Sequence, residues 1–367
     1  MVLKEMKTIG SGSYQTSDVT FLLKDVSHIQ LEDDVIEREH RIQTKQEHYS
    51  ESLPIEKLPE QDYIDFYKKA LQTNGQRTAE LVREVSIQLH HTYNDDLVLV
   101  SLARAGTPVG ILLKRYLAKF FSYEIPHYSV SIIRGKGIDW QALQFIIKKH
   151  ESKKIIFVDG WTGKGSITNE LKKSCEGFNE ISSRRVEPIL AVLSDPARCS
   201  TISGTREDIL LPHACLNATV SGLVSRTILN KKWIHDGEFH GAKFYKEWLS
   251  NDYSNQYVNE ITALFSKPCN VEYKPNAQSS FSGMEEVKRI SKEFSIDDLH
   301  LIKPSIGETT RVLLRRLPWK ILVKDSGDPQ TKHILHLAHQ KNIEVIEYKG
   351  MTYSACGIIR PLGEERT

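Results

Sequence analysis

The feature that most narrows the fold is a set of four uninterrupted apolar runs, LVLVS (residues 97–101), SVSII (129–133), IIFVD (155–159) and ILAVLSD (189–195), separated by amphipathic stretches. A strand with one wet face alternates apolar and polar residues; a strand covered on both faces cannot, so continuous runs predict buried parallel strands. The segment TPVGILLKRYLAKFF between the first two predicts a helix. Thr107 is placed to cap it, Pro108 suits the first helical position, and Val109, Leu112, Leu113, Tyr116, Leu117 and Phe120 share one face. Strands alternating with helices argue for an α/β fold with a parallel sheet.

A chain of 367 residues with 40% hydrophobic content has room for two cores. Residues 1–57 mix the apolar segment DVTFLL with the charged LEDDVIEREHRIQTKQEHYSE and read as an arm without its own core. Residues 58–265 form the main α/β unit. Residues 266–292, with Pro, Ser, Asn and Gly and no sustained period, read as a linker. Residues 293–367 then predict a smaller α/β unit, from helices in GETTRVLLRRLPW and TKHILHLAHQKN and strands in ILVK and IEVIEY. The 49 basic and 47 acidic residues nearly cancel, so no global field draws the chain to nucleic acid or membrane. No apolar run approaches the ~20 residues of a bilayer span, and the first residues lack a signal-peptide core, which predicts a cytoplasmic protein with no membrane association. Five widely spaced cysteines without a C-x-x-C pair read as reduced thiols.

The most informative turn is IIFVDGWTGKGSIT, residues 155–168. Asp159 stands at the end of a predicted strand, where open α/β sheets bind ligands, and Gly160, Gly163 and Gly165 alternate with Thr162, Lys164 and Ser166. Ser166 can cap a helix carrying Ile167, Leu171 and Cys175. The glycines then let backbone N–H groups and the helix dipole face an anion. A P-loop requires lysine where Ser166 stands, and a dinucleotide fingerprint lacks its third glycine here. The turn is similar to the ribose-phosphate loop of phosphoribosyltransferases, with Gly160 where those proteins carry a second acid. The bland alternative is a tight strand-to-helix connection without a ligand.

Two further loops extend the similarity. Ser101, Ala103, Arg104, Ala105 and Gly106 match the family's pyrophosphate loop, and Arg134-Gly-Lys136-Gly137 its flexible loop. The resemblance implies a type I phosphoribosyltransferase-like core transferring ribose 5-phosphate from phosphoribosyl pyrophosphate to an unknown base-like acceptor, with Mg²⁺ accompanying the donor. It assigns catalysis to Asp159, Arg104 and Lys136 and phosphate contacts to Ser101, Ala103, Ala105, Gly106, Arg134, Gly160, Thr162, Gly163, Lys164, Gly165 and Ser166. The acceptor pocket would use Asp195, Arg198, Cys215, Asn217 and Arg226.

Over nearly the whole chain, the segments SLARAGTPVG, RGKGID, VDGWTGKGSI, CLNATVSGLVSRTILN, FHGAKFY and KPSIGETTRVLLRR resemble a stress-associated bacterial family found with tellurite-resistance systems. Its main domain is named both as phosphoribosyltransferase-like and as "cysteine protease StiP", and a Pelota-type RNA-binding domain follows. The implied role is in a stress-linked, nucleoside-like metabolite pathway. The second name implies a cysteine hydrolase instead, for which Cys215 is the candidate nucleophile and His213, His48 or His240 the nearby or distant histidines; a structural cysteine is the bland reading. A third reading is a non-catalytic, nucleotide-sensing RNA-binding protein. In the C-terminal unit the resemblance places RNA contacts on Gly307, Glu308, Thr309, Thr310, Arg311, Arg315 and Arg316, with Arg311 and Arg315 one helical turn apart.

Overall fold

The computed structural model describes residues 7–29, 40–42, 44, 46–53, 55–268 and 280–361; Cys269 and the side chain of Arg315 fall outside this description. Strands β1 (Thr8–Gly10), β2 (Thr20–Asp25), β3 (Leu97–Leu102), β4 (His127–Val130), β5 (Ile132–Ile133), β6 (Gly137–Ile138), β7 (Lys154–Trp161), β8 (Leu190–Ser194), β9 (Ile202–Thr205) and β10 (Gly241–Ala242) belong to the first domain. The central sheet runs β1-β2-β4-β3-β7-β8-β9, with β10 also on β2. Every pair in it is parallel except β1 with β2. The chain is therefore α/β with a mostly parallel central sheet.

Both faces of that sheet are covered. Leu97 and Leu99 of β3 with Ile156 and Val158 of β7 pack under the helices Gln61–Tyr93, Gly106–Phe121 and Ser254–Ala263. Val98, Val100, Ile155 and Phe157 pack on the opposite side under Trp140–Lys149 and Ser166–Ile181. This is why the runs show no alternation.

Local details differ from the sequence expectation. SVSII does not continue as one strand: β4 ends at Val130, and β5 turns back onto β6 through Gly135 and Gly137, both at positive φ. The helix at residue 106 begins without a side-chain cap, and the Thr107 hydroxyl instead bonds Ser129 Oγ at 2.8 Å. Ser166 is the first helical residue; Gly165, at φ +83, holds the cap position. The arm is part of the fold, since Phe21, Leu22 and Leu23 of β2 are fully buried and Asp18 holds Arg115 at 2.6 Å. Its apolar stretch is too short for a core of its own but long enough to extend an existing sheet.

The second domain orders its strands β11 (Ile302–Pro304), β14 (Ala355–Ile359), β12 (Pro318–Val323) and β13 (Glu344–Glu347), with the helices Ile306–Arg315 and Lys332–Gln340. A further helix, Ser282–Glu293, takes up the last part of the stretch read as a linker and ends one residue beyond it; Val287 and Ile290 are buried on it. The domains are joined by polar contacts made by otherwise buried groups. The Lys164 ammonium donates to the carbonyls of Leu299 and Ile302. The Asp208 carboxylate accepts from the backbone N–H groups of Ile306 and Ser354 at 3.0 Å, and Tyr353 donates to the Gly163 carbonyl at 2.7 Å. Among the described residues no helix is long and apolar enough to cross a membrane.

Candidate functional site

The loops after β3 and β7 and the β5–β6 turn open onto one cavity of about 780 Å³, closed on its far side by the second domain. Arg104, Ala105, Arg134, Asp159, Thr162, Gly163, Lys164, Gly165 and Ser166 line it, as do Cys215, Asn217 and Arg226 from the segment after β9. Glu308, Arg311 and Arg316 enter from the helix that starts the second domain. Basic side chains on the wall outnumber acidic ones nine to four, so the cavity carries a positive field.

Asp159 stands two residues before the end of β7, and burial pushes its carboxyl up to about 7; the Gly160 N–H, donating to Oδ1 at 2.8 Å, and the Arg311 guanidinium act in the opposite direction. Beside it, Gly160 leaves space for an imidazole: a Cβ there would lie 3.1 Å from His213 Nε2. His213 Nδ1 pairs with the Tyr257 hydroxyl at 3.0 Å, and the buried ring also meets the Ala105 backbone. Burial, helped by the Arg311 charge, holds this histidine neutral with a pKa of about 3. The short 3-10 turn Pro212–Cys215 carries both His213 and Cys215, and the thiol residue, 2% exposed, reaches the cavity wall. Trp161 packs its ring between His213, at 5.6 Å, and the Arg311 guanidinium, at 4.4 Å.

Among the four described cysteines only Cys215 lines the cavity. Burial raises the thiols of Cys175 and Cys356 to about 12, which makes them inert. His48 is committed to Ser50 Oγ and the Arg134 carbonyl, and His240 to Ser131 Oγ. Neither lines the cavity that Cys215 meets.

Several expected site residues stand elsewhere. Ser101 Oγ is used by the Gly106 carbonyl and His127, and Ala103 is not on the wall. Gly106 packs on β7, where a Cβ would sit 2.2 Å from the Val158 carbonyl oxygen. Lys136 is exposed and not on the cavity wall, in a turn that is pinned rather than free: the Arg134 N–H donates to Tyr49 and the Gly135 N–H to Glu170. Asp195 is no pocket residue; fully buried, it accepts from Thr162 Oγ1 at 2.6 Å and Ser200 Oγ at 2.7 Å and pairs with Arg206. Arg198 is exposed off the wall.

The predicted RNA contacts also need correction. Thr309 and Thr310 are fully buried, Thr310 bonding His333, and Gly307 abuts Trp161, so this turn faces the first domain rather than solvent. The Arg315 side chain lies outside the described residues. No group of three or more His, Cys, Asp or Glu is placed to hold a metal among the described residues.

Sequence reasoning missed Glu56, which pairs with Arg104, and Tyr49, whose ring has the Arg134 and Arg226 guanidinium groups within 5.5 Å. Both lie in the arm, which the sequence left open as a cap over the site around His48-Tyr49-Ser50-Glu51 without assigning it any contact.

Residues 12–262 match the family model described as "Tellurite-like stress resistance cysteine protease StiP", and residues 281–361 match "PELOTA RNA binding domain". The chain is 34% identical over 369 positions to the "Cysteine protease StiP" of Acinetobacter baylyi (strain ATCC 33305 / BD413 / ADP1), covering 96% of this chain and 95% of that protein. Both findings name a cysteine protease and overturn the expected phosphoribosyltransferase activity; phosphoribosyl pyrophosphate and a base-like acceptor lose their support with it. With a family model matching residues 12–262 and a relative aligned over 96% of the chain, the chain belongs to the tellurite-like stress resistance cysteine protease StiP family, and its residues 281–361 match the Pelota RNA-binding domain.

Proposed function

We propose that the interdomain cavity is the active site of a thiol-dependent peptide hydrolase in which Cys215 is the nucleophile and Asp159 carries the proton. The observation that carries this is that Cys215, alone among the described cysteines, meets the cavity that also holds a carboxyl tuned to about 7. A base is most useful when its pKa lies near the working pH, and Asp159 meets that condition better than His213, which at about 3 is too weak to hold the thiol proton.

In this reading the Cys215 proton passes to Asp159, and Sγ attacks the peptide carbonyl carbon. The C–N bond then breaks, and the leaving amine takes the proton from Asp159. Water, deprotonated by the same carboxylate, cleaves the resulting thioester and returns the thiol. His213, neutral and fixed by Tyr257, positions the turn that carries Cys215. For the second domain we propose RNA contact through residues other than the buried Thr309 and Thr310, supported by the match to an RNA-binding domain.

The test is hydrolysis of a proteome-derived peptide library by the purified full chain and by Cys215→Ser. Cleavage by the wild type that disappears in Cys215→Ser is expected. Equal cleavage by both proteins would remove the nucleophile assignment.

A further inference from the structure

Residues 55–60, Ile-Glu-Lys-Leu-Pro-Glu, have no regular secondary structure before the helix Gln61–Tyr93 begins, and all six line the cavity. They form no strand pairing. Two of the six large hydrophobic side chains that are exposed among the described residues, Ile55 and Leu58, belong to this segment, so apolar burial does not explain its course. What holds it is polar. Glu56 Oε1 meets Arg104 Nη1 at 2.6 Å, with only 11% and 9% of the two side chains exposed. One residue on, the Lys57 carbonyl accepts from Asn217 Nδ2 at 2.8 Å.

Arg104 is itself held in place. The same Nη1 donates to the Val224 carbonyl at 3.0 Å, and the side chain comes from the loop directly after β3. Asn217 stands two residues after Cys215, and its Oδ1 accepts from the Thr219 N–H and hydroxyl, which fixes its Nδ2 toward the segment. A fixed, nearly buried guanidinium that takes a carboxylate, next to a fixed amide that takes the following backbone carbonyl, is how a cleft reads one acidic residue of an extended peptide.

We propose that Arg104 selects an acidic side chain in the peptide substrate, and that residues 55–60 occupy the substrate's track as a tethered stand-in, with Glu56 in the acidic subsite and Asn217 on the next carbonyl. This rests on the peptide-hydrolase reading of the same cavity. A bound peptide must displace Glu56 from Arg104, so the tether lowers apparent affinity until the arm is moved. The substrate class is an extended peptide bearing Glu or Asp, and the positive wall of the cavity favours further acidic residues around it.

The test measures fluorescence anisotropy of labelled Ile-Glu-Lys-Leu-Pro-Glu and of its Gln-substituted control on the full chain in a Cys215→Ser background, so that binding is read without turnover. Glu56→Gln is expected to bind the acidic peptide about tenfold more tightly than the parent, because the tethered competitor is weakened. Adding Arg104→Gln should remove that gain, and the control peptide should gain nothing. Arg104→Lys, which keeps the charge and guards against a folding defect in Arg104→Gln, should retain a weaker preference for the acidic peptide. Equal binding of the two peptides to Glu56→Gln, or a gain that survives Arg104→Gln in a protein with unchanged melting, would overturn the proposal. Cys215-dependent cleavage without acidic preference would remove this inference and leave the hydrolase reading standing. Arg104-dependent peptide binding by a chain that shows no Cys215-dependent cleavage would do the reverse.

Discussion

Replacing Asp159 by Asn isolates the electrostatic tuning of the cavity. Asn keeps the size of the side chain and an oxygen for the Gly160 N–H, and removes only the ionisable group. Burial raises the carboxyl from 3.8 to about 7. Its contribution to stability is therefore fully present below 3.8 and is lost as pH rises through 7, because over that window the unfolded chain has released a proton that the folded chain retains. The wild type should accordingly lose about 2.5 kcal/mol between about pH 5 and pH 8 that Asp159→Asn keeps, from a slope of about 1.36 kcal/mol per pH unit that flattens near 7. Denaturant unfolding of both proteins across that range measures it. Asp208, raised in the same way to about 7, is common to both and cancels in the difference. A gap between the two proteins that does not change with pH, within about 0.5 kcal/mol, would refute the claim that Asp159 is a strained, cavity-facing carboxyl.

Asp208→Ala deprives the N–H groups of Ile306 and Ser354 of their acceptor and should weaken domain docking by on the order of 3 kcal/mol, seen in calorimetry as a split into two transitions. Gly307→Ala brings a Cβ to 2.6 Å from the Trp161 indole and should destabilise by about 1–3 kcal/mol, lowering the melting temperature and the Cys215-dependent activity together; an unchanged melting curve would show that the two domains do not meet there. The pH–rate profile of peptide cleavage should rise with an apparent pKa near 7, and that limb should disappear in Asp159→Asn.

The strands β3, β7 and β8 were legible because each is covered on both faces, which leaves an uninterrupted apolar run. The convergence of the loops after β3 and β7 follows from the parallel order, since such loops emerge on one edge. The chemistry was less legible. Gly160 looked like a missing acid in a sugar-phosphate loop, whereas its role in the structure is to leave room for the His213 ring. Cys215 and Asp159 are 56 positions apart, and no spacing rule joins a strand end to a turn beyond the sheet's last strand. Glu56 reaches Arg104 across 48 positions through an arm whose charges suggested solvent. The basic helix Ile306–Arg315 hid its orientation, because a helix bearing both leucines and arginines does not declare which arginines are covered by another domain.

The central claim, that Cys215 is the nucleophile of this cavity, is tested most directly by mapping alkylation of the native protein with a small thiol electrophile by peptide mass spectrometry. Cys215 should be modified before Cys175, Cys199 and Cys356, at a rate that rises through about pH 7 and drops in Asp159→Asn, with peptide cleavage lost in step. Cys215 left unmodified in the native protein while peptide cleavage persists in Cys215→Ser would contradict it.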